Sequence, residues 1–538
     1  MCLFCFFFQV EEGIRDLVRA GGLGDVYKRQ EQMKRVTSRR QLAISTVLVM
    51  LSLSASGCLQ GSNYHRPPVE TPADWPRMAS GPLAAGATDT MPEADWWQAF
   101  HNQELTQFVE RALAQNHDVR RAVSRVLEGR ASVTTAGAGL YPQLNVQGSY
   151  SNIVVSKNTL AGLGLATGQQ PGPQVFAKPG SSFDLWNGAA DLRWELDVWG
   201  RIRRGMEAAS ADAQAIEQDA RAIALTLIGD VGQSYFRIRE LDEQIEIAQR
   251  ALTLRRDSLD IITKRASVGL ASDLDVKRTE VLVAESAGQI PDLTRLRAVE
   301  LHRLEVLTGS APGSVVLAPT SLRKVIVQPE IPVGLPSQLL ERRPDILQAE
   351  ASLVAANARI GQARAYFFPT LSITGQGGLQ SAEFANWFTG NSANFSIGPS
   401  VTLPIFLGGT NVARLEAAES RYQQMLEGYQ QTILLAFREV ADLLVSIHSR
   451  TEQLARQREQ ATAATAAVGL AEVRYRKGLV NYLDVLDAQR TMLAAETQLA
   501  QTERARLTDM VGLYKALGGG WQTPGNNLSA IPAGSATH

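Results

Sequence analysis

Cysteine is scarce in this chain, with 3 in 538 residues, and so is histidine, with 6. A disulfide scaffold and a cysteine-rich metal site are thereby excluded. An excess of positive charge is missing too: 53 basic against 54 acidic side chains leave nothing to neutralise a phosphate backbone, which argues against a nucleic-acid partner. No apolar run reaches the roughly 18 residues a membrane-spanning helix needs, and mean hydropathy is -0.10, so a polytopic helical membrane protein is excluded. A β-barrel is not, because its strands are short and alternate in polarity. Catalysis finds no support: His65, His101, His117, His302 and His448 stand apart without ligand spacing, His538 is terminal, and nothing places a base beside a nucleophile. The chain reads as a non-enzyme that needs no cofactor.

Residues 1–32 match nothing that follows. The stretch EEGIRDLVRAGGLGDVYKRQ resembles a translated sequencing-adapter read-through, so 1–32 reads as a non-native extension and stays out of the fold argument. From Met33 a basic segment (Lys34, Arg35, Arg39, Arg40) precedes an apolar stretch, Leu42 to Leu53, and then Ala55-Ser56-Gly57-Cys58. That order is a cleaved signal over 33–57 and resembles a bacterial lipobox, with Ala55 standing where leucine is most common. Cys58 is then the first mature residue, carrying N-palmitoyl and S-diacylglycerol groups. Leu59, not aspartate, follows it, which points to the outer membrane.

The mature chain is duplicated. Asp118 and Pro142 lie 24 residues apart, as do Asp345 and Pro369, an offset of 227. Further on, Gly200, Val231, Gly269 and Gly309 recur as Gly409, Val440, Gly478 and Gly518, each at an offset of 209. The 18-residue slip between the two registers falls between Pro142 and Gly200, an insertion in the first copy. The boundaries are therefore a proline-rich linker 58–103, a first repeat 104–311, a linker 312–337, a second repeat 338–518 and a disordered tail 519–538.

Each copy spells helix, two strands, long helix, turn, helix. Helical patterns over 104–140 and 338–367 give way to period-two alternation: Leu144, Val146, Gly148 and Tyr150, then Leu192, Trp194, Leu196 and Val198. Such alternation suits a tilted membrane strand or a half-buried soluble sheet equally. Residues 201–267 and 410–476 then run 67 residues each without proline, about 100 Å if continuous. Heptad sets lie within them: Ile433, Phe437, Val440, Leu444 and Ile447, and Ile238, Leu241, Ile245, Ala248 and Leu252. Gly269 and Gly478 turn both helices, with Ser272 and Asn481 as caps of the returning ones. Four strands cannot close a barrel alone, whereas a trimer supplies 12.

Six motifs in this order are similar to the TolC-like outer membrane factors, of the lipoprotein branch typified by OprM and NodT. They are Trp96-Trp-Gln-Ala-Phe100, Ala112-Leu-Ala-Gln-Asn-His-Asp118, Trp194-Glu-Leu-Asp-Val-Trp-Gly-Arg201, Leu340-Glu-Arg-Arg-Pro-Asp-Ile346, Leu403-Pro-Ile-Phe-Leu-Gly-Gly409 and Asn481-Tyr-Leu-Asp-Val-Leu-Asp-Ala-Gln489. The resemblance implies an α+β membrane protein: a homotrimeric 12-stranded outer membrane β-barrel continued by a periplasmic α-helical barrel, closed at its periplasmic end. It also implies a periplasmic adaptor and an inner-membrane pump of the resistance-nodulation-division type as partners. An ATP-driven secretion duct and a poreless structural coiled-coil lipoprotein are the competing readings. Asp484 and Asp487, three apart on one helical face, would form rings of carboxylates around a pore. The family's gate has a Tyr and an Arg just before the turn, matched by Tyr475 and Arg476, and Asp275 lies opposite Asp484 in the repeat as their expected partner.

Overall fold

In a computed structural model, residues 59–72, 75, 95–154, 182–325 and 336–519 are described. Cys58, the signal 33–57, the extension 1–32, the 18-residue insertion and almost all of the tail lie outside them.

The first repeat comprises α1 (Gln103–Gln115), α2 (His117–Gly137), β1 (Gln143–Val154), β2 (Ser182–Leu196), α3 (Arg201–Ser267) and α4 (Asp273–Leu307). Two short helices, α5 (Leu322–Val325) and α6 (Leu339–Arg342), lead into α7 (Pro344–Ala365), β3 (Thr370–Ser381), β4 (Ala393–Thr402), α8 (Thr410–Arg476) and α9 (Tyr482–Ala516). The duplication is metrically close: α3 and α8 have 67 residues each, and α4 and α9 have 35 each. The helical stretches that open the repeats are interrupted where the periodicity alone predicts continuity. Asn116 takes an extended backbone and its side chain accepts from the amides of Asp118 and Val119, restarting the helix as α2. Pro344 does the same for α7, its missing amide costing nothing at the first turn.

The four strands form one antiparallel sheet in chain order, β1-β2-β3-β4, so β2–β3 pairing joins the two repeats. Register decides what the alternation left open. Leu144 faces Leu192, Trp194 faces Ile373, Leu371 faces Val401 and Tyr150 faces Trp186, which puts these on one face. Gln143, Arg193 and Thr374 face one another on the other side, as do Asn145, Asp191, Gln376 and Ser396. One face is thus apolar and the other polar, with exceptions at the far end of β1 and β2, where Ile153, Phe183 and Leu185 fall on the polar face and Asn152 and Asp184 on the apolar one. Among the described residues no α-helix covers the apolar face; Phe384 and Trp387 of the β3–β4 loop pack on Trp186 at its far end, and elsewhere it is uncovered, with Val146 82% exposed and Phe395 77% exposed. An uncovered apolar face with a polar reverse is the pattern of a lipid-facing barrel wall, not of a soluble half-buried sheet.

Helices continue the wall. Near the sheet the lateral order is α2-α3-α7-α8; beyond the midpoint it is α4-α3-α9-α8, because α3 and α8 run through both levels. Every level therefore has two unpartnered flanks, α2, β1 and α4 on one and β4 and α8 on the other. The midpoint holds the main core. Trp96 stacks on Tyr514 at 4.8 Å, and Phe100 packs against Phe236 at 5.4 Å. Beside them the fully buried Arg239 donates to Asp242 (3.0 Å), Glu104 (2.5 Å) and the Ala318 carbonyl (2.7 Å), while Arg297 reaches Asp242 from α4. Buried charge survives there because each is paired and further hydrogen-bonded.

The heptad of α8 is seated as the spacing predicts, with Ile433, Phe437, Val440, Leu444 and Ile447 all buried. In α3 the seam is broader: Ile238, Leu241 and Ala248 are buried, Ile245 and Leu252 only partly, and Ile247 and Ala251 join them. The reason is that α3 packs on helices at both flanks, so a two-position stripe cannot serve it.

Candidate gate at the hairpin tips

Each long helix ends in the same turn. Gly269 has φ of 73° and Gly478 has φ of 72°, the left-handed region where a Cβ is costly. The amide of Gly269 donates to Ala266 and that of Leu270 to Arg265; Gly478 and Leu479 donate likewise to Tyr475 and Arg474. These bonds satisfy the last carbonyls of α3 and α8 and reverse the chain at equivalent places. The returning helices are capped by different chemistry. Ser272 accepts from Leu274 at 3.1 Å and so caps α4, as the sequence predicts. Asn481 forms a reciprocal box with Asp484, whose carboxylate accepts from the Asn481 amide at 3.1 Å.

A small core joins the two tips. Ile262 of α3 and Tyr482 and Val485 of α9 are buried together, with Val276, Ala471 and Tyr475 packed around them. Tyr475 packs on Tyr482 at 5.3 Å between ring centres. Across the seam, the Arg265 guanidinium lies over the Tyr475 ring at 4.7 Å and donates to its carbonyl at 3.2 Å. Burial pushes the Tyr482 hydroxyl above its ordinary range, and that oxygen, close to Thr279 and Ser258, has no hydrogen bond of good geometry.

The residues expected at the gate divide into two sets. Tyr475 is half-buried and engaged with the first hairpin, and Asp275 is half-buried in the first turn of α4. Arg476, Asp484 and Asp487 are exposed: Arg476 reaches only Glu472 on its own helix, at 4.0 Å, and Asp487 pairs with Arg490 at 3.0 Å. Within one chain Arg476 and Asp275 make no ion pair among the described residues. Arg265 was not singled out by the sequence. The repeat places it opposite Arg474, but nothing in that register shows that it stacks on a tyrosine of the other copy.

A duplicated chain with a lipid-facing sheet, a long helical continuation and capped hairpin tips defines an outer membrane duct. Residues 108–310 and 335–519 match the outer membrane efflux protein family. The chain is 32% identical over 472 residues to the cation efflux system protein CusC of Escherichia coli O6:H1, covering 88% of this chain and 98% of that one. It is also 32% identical to the outer membrane protein OprJ of Pseudomonas aeruginosa, over 89% of this chain and 96% of OprJ. Among solved structures, the outer-membrane channel OprN superposes with a TM-score of 0.77 at 30% identity, covering 86% of this chain and all of that one. The chain belongs to the outer membrane efflux protein family. It has the TolC-like α+β fold and is an efflux channel of the outer membrane.

Proposed function

We propose that three copies close head to tail, each β1 pairing with the next β4, into a duct that passively carries drugs, toxic compounds or metals outward. The supporting observation is that sheet and helices break off along the same two flanks at every level. Three sheets of four strands make a closed barrel of 12, which abolishes the exposed edges. The periplasmic end of the duct, closed at rest, receives its cargo from a periplasmic adaptor and an inner-membrane pump of the resistance-nodulation-division type, as the resemblance to the lipoprotein branch implies. The relatives' names, in cation and antibiotic efflux among others, span the cargo classes named here.

Cys58 carries the lipid anchor. Gln60, two residues later, donates its amide to the Trp199 carbonyl at 3.2 Å, at the foot of the sheet. At the opposite end, Asp484 and Asp487 line the narrowing as carboxylate rings, and Tyr475, Arg476 and Asp275 hold neighbouring hairpins shut.

Two measurements test the reading together. The protein in detergent is expected to run as a heat-modifiable trimer and to give single-channel conductance in a lipid bilayer. A monomer without conductance would refute ring closure. Crosslinking in intact cells, followed by mass spectrometry, then identifies the adaptor and the pump; recovery of an ATPase exporter would move the duct to secretion.

A further inference from the structure

Where the sheet meets the helices, a cleft of about 440 Å³ opens, and its residues are unlike the rest of the wall. Gln143, Arg193 and Glu195, which line it, belong to the polar face of the sheet, so the cleft opens toward the lumen rather than toward lipid. Helices α3 and α7 contribute Arg201, Asp212 and Arg359. Two of the three cations are already matched. Arg201 grips Glu195 through two bonds, 3.0 and 2.7 Å, and Arg359 is in direct contact with Asp212. Arg193 is different. Its cross-strand neighbours are Gln143 and Thr374, both uncharged, and it makes no ion pair among the described residues. The nearest uncommitted carboxylate, Asp191, stands two positions along the strand, about 7 Å away, between Asn145 and Gln376 and outside the cleft.

The cleft therefore holds one cation more than its carboxylates balance, on a wall otherwise made of the amides of Gln143 and Gln362, the Thr135 hydroxyl, small residues, Ile202 and the exposed ring of Tyr141. The duplicated fold does not demand this arrangement. Carried to the second copy at the offset of 209, Arg193, Glu195 and Arg201 correspond to Thr402, Pro404 and Thr410, which are uncharged.

We propose that this cleft is a lumenal subsite for organic anions, one per chain, in which Arg193 binds a carboxylate or sulfonate and Tyr141 with Ile202 receives a flat apolar body. Arg201 and Arg359, neutralised by Glu195 and Asp212, are not available to the ligand, so the cleft's net positive charge is that of Arg193. An anion leaving the helical part of the duct meets this site immediately before the barrel, where a weak hold raises its local concentration and still lets it leave. The inference rests on the ring closure proposed above, which makes the polar face a lumen.

The test is calorimetric titration of the detergent-solubilised trimer with naphthalene disulfonate, against a blank of empty nonionic micelles. One probe per chain is expected. Arg193→Gln is expected to weaken binding by about tenfold, roughly the worth of one charge-assisted contact, while Arg193→Lys stays within about threefold of the parent. Each variant is first shown to be a heat-modifiable trimer. A conducting parent trimer that takes no probe, or an Arg193→Gln variant that binds as the parent does, overturns the subsite and leaves the channel intact. A parent that neither trimerises nor conducts overturns ring closure instead.

Discussion

The Arg265 guanidinium rests 4.7 Å over the ring of Tyr475 and donates to that residue's carbonyl, which also accepts the amide of Gly478 in the turn. One cation thus ties the end of the first long helix to both the aromatic ring and the turn of the second. A partly desolvated cation over a tyrosine is worth about 1 kcal/mol or more, and here the carbonyl contact adds to it. Arg265→Ala is expected to free the tips of a chain from each other and raise resting single-channel conductance severalfold with the trimer intact. Arg265→Lys keeps the charge but not the fork, and is expected to fall between the two. Conductance unchanged in the alanine variant would show that the tips are held elsewhere.

Arg476 gives a cleaner separation of roles. Its contact within the chain is an exposed pair with Glu472 at 4.0 Å, of the kind that contributes little to stability. Arg476→Ser is therefore expected to leave the melting temperature within about 1 °C of the parent, since exposed pairs are nearly neutral. A rise in conductance without loss of stability places its gate contact between chains. If both stay unchanged, Arg476 is not in the clamp.

The two carboxylates at the start of α9 do unlike jobs. Asp484 closes a capping box with Asn481, whereas Asp487 meets only Arg490 on its own exposed face. Asp484→Ala is expected to cost about 1 kcal/mol, as loss of a cap does, and to increase proteolysis near Gly478. Asp487→Asn is expected to do neither. Both should lower the preference of the pore for cations in reversal-potential measurements, because each ring loses charge facing the passage. A normal cation preference in Asp487→Asn would remove that ring from the constriction.

Much of this was readable in the sequence, and the reason is the duplication. Two independent copies of Gly269 and Gly478, or of the 67-residue helices, fix the same element twice, so a chance pattern in one copy is exposed by its absence in the other. The faces of the strands could not be assigned that way. Alternation shows that Leu144 and Val146 share a side, but only the register with Leu192 and Leu371 shows that every strand turns its apolar side the same way, with Val146 and Phe395 left exposed on it. The Arg265 contact was illegible for a related reason: it joins positions 210 residues apart in different copies, and a repeat reveals equivalence, not adjacency. Likewise the break at Asn116 is a capping event inside an unbroken apolar period, which periodicity smooths over.

Two glycines of the sheet separate a packing requirement from a composition preference. A Cβ on Gly378 would lie 2.2 Å from the Gly188 carbonyl oxygen and 2.7 Å from the Ala189 Cα, both backbone atoms that cannot move aside. A Cβ on Gly398 meets nothing within 4 Å. Gly378→Ala is accordingly expected to abolish the heat-modifiable trimer or reduce its yield severely, by parting β2 from β3 where the two repeats join. Gly398→Ala should assemble as the parent does. Equal yields from the two variants would mean that the β2–β3 seam has slack the packing does not show.

The midpoint of the chain carries a pH dependence of predictable sign. Glu243 is buried, and burial pushes its carboxyl above the ordinary value of 4.5; Glu503 adds to the rise, and Arg323, at 2.7 Å, opposes it. The folded state therefore holds this proton more tightly than the unfolded chain does. The stabilisation from that proton is complete below the ordinary carboxylate range and is lost as pH rises through the elevated folded value. At neutral pH the ionised carboxylate is thus a net burden that the Arg323 contact only partly offsets. Glu243→Gln keeps the shape, removes the like charge beside Glu503 and leaves Arg323 its second contact with Glu503 at 3.6 Å. The variant is expected to match the parent in thermal melting near pH 4 and to exceed it near pH 8, the pH window following from the raised carboxyl. A variant less stable than the parent at pH 8 would show that the ion pair with Arg323 outweighs the cost of burying the charge.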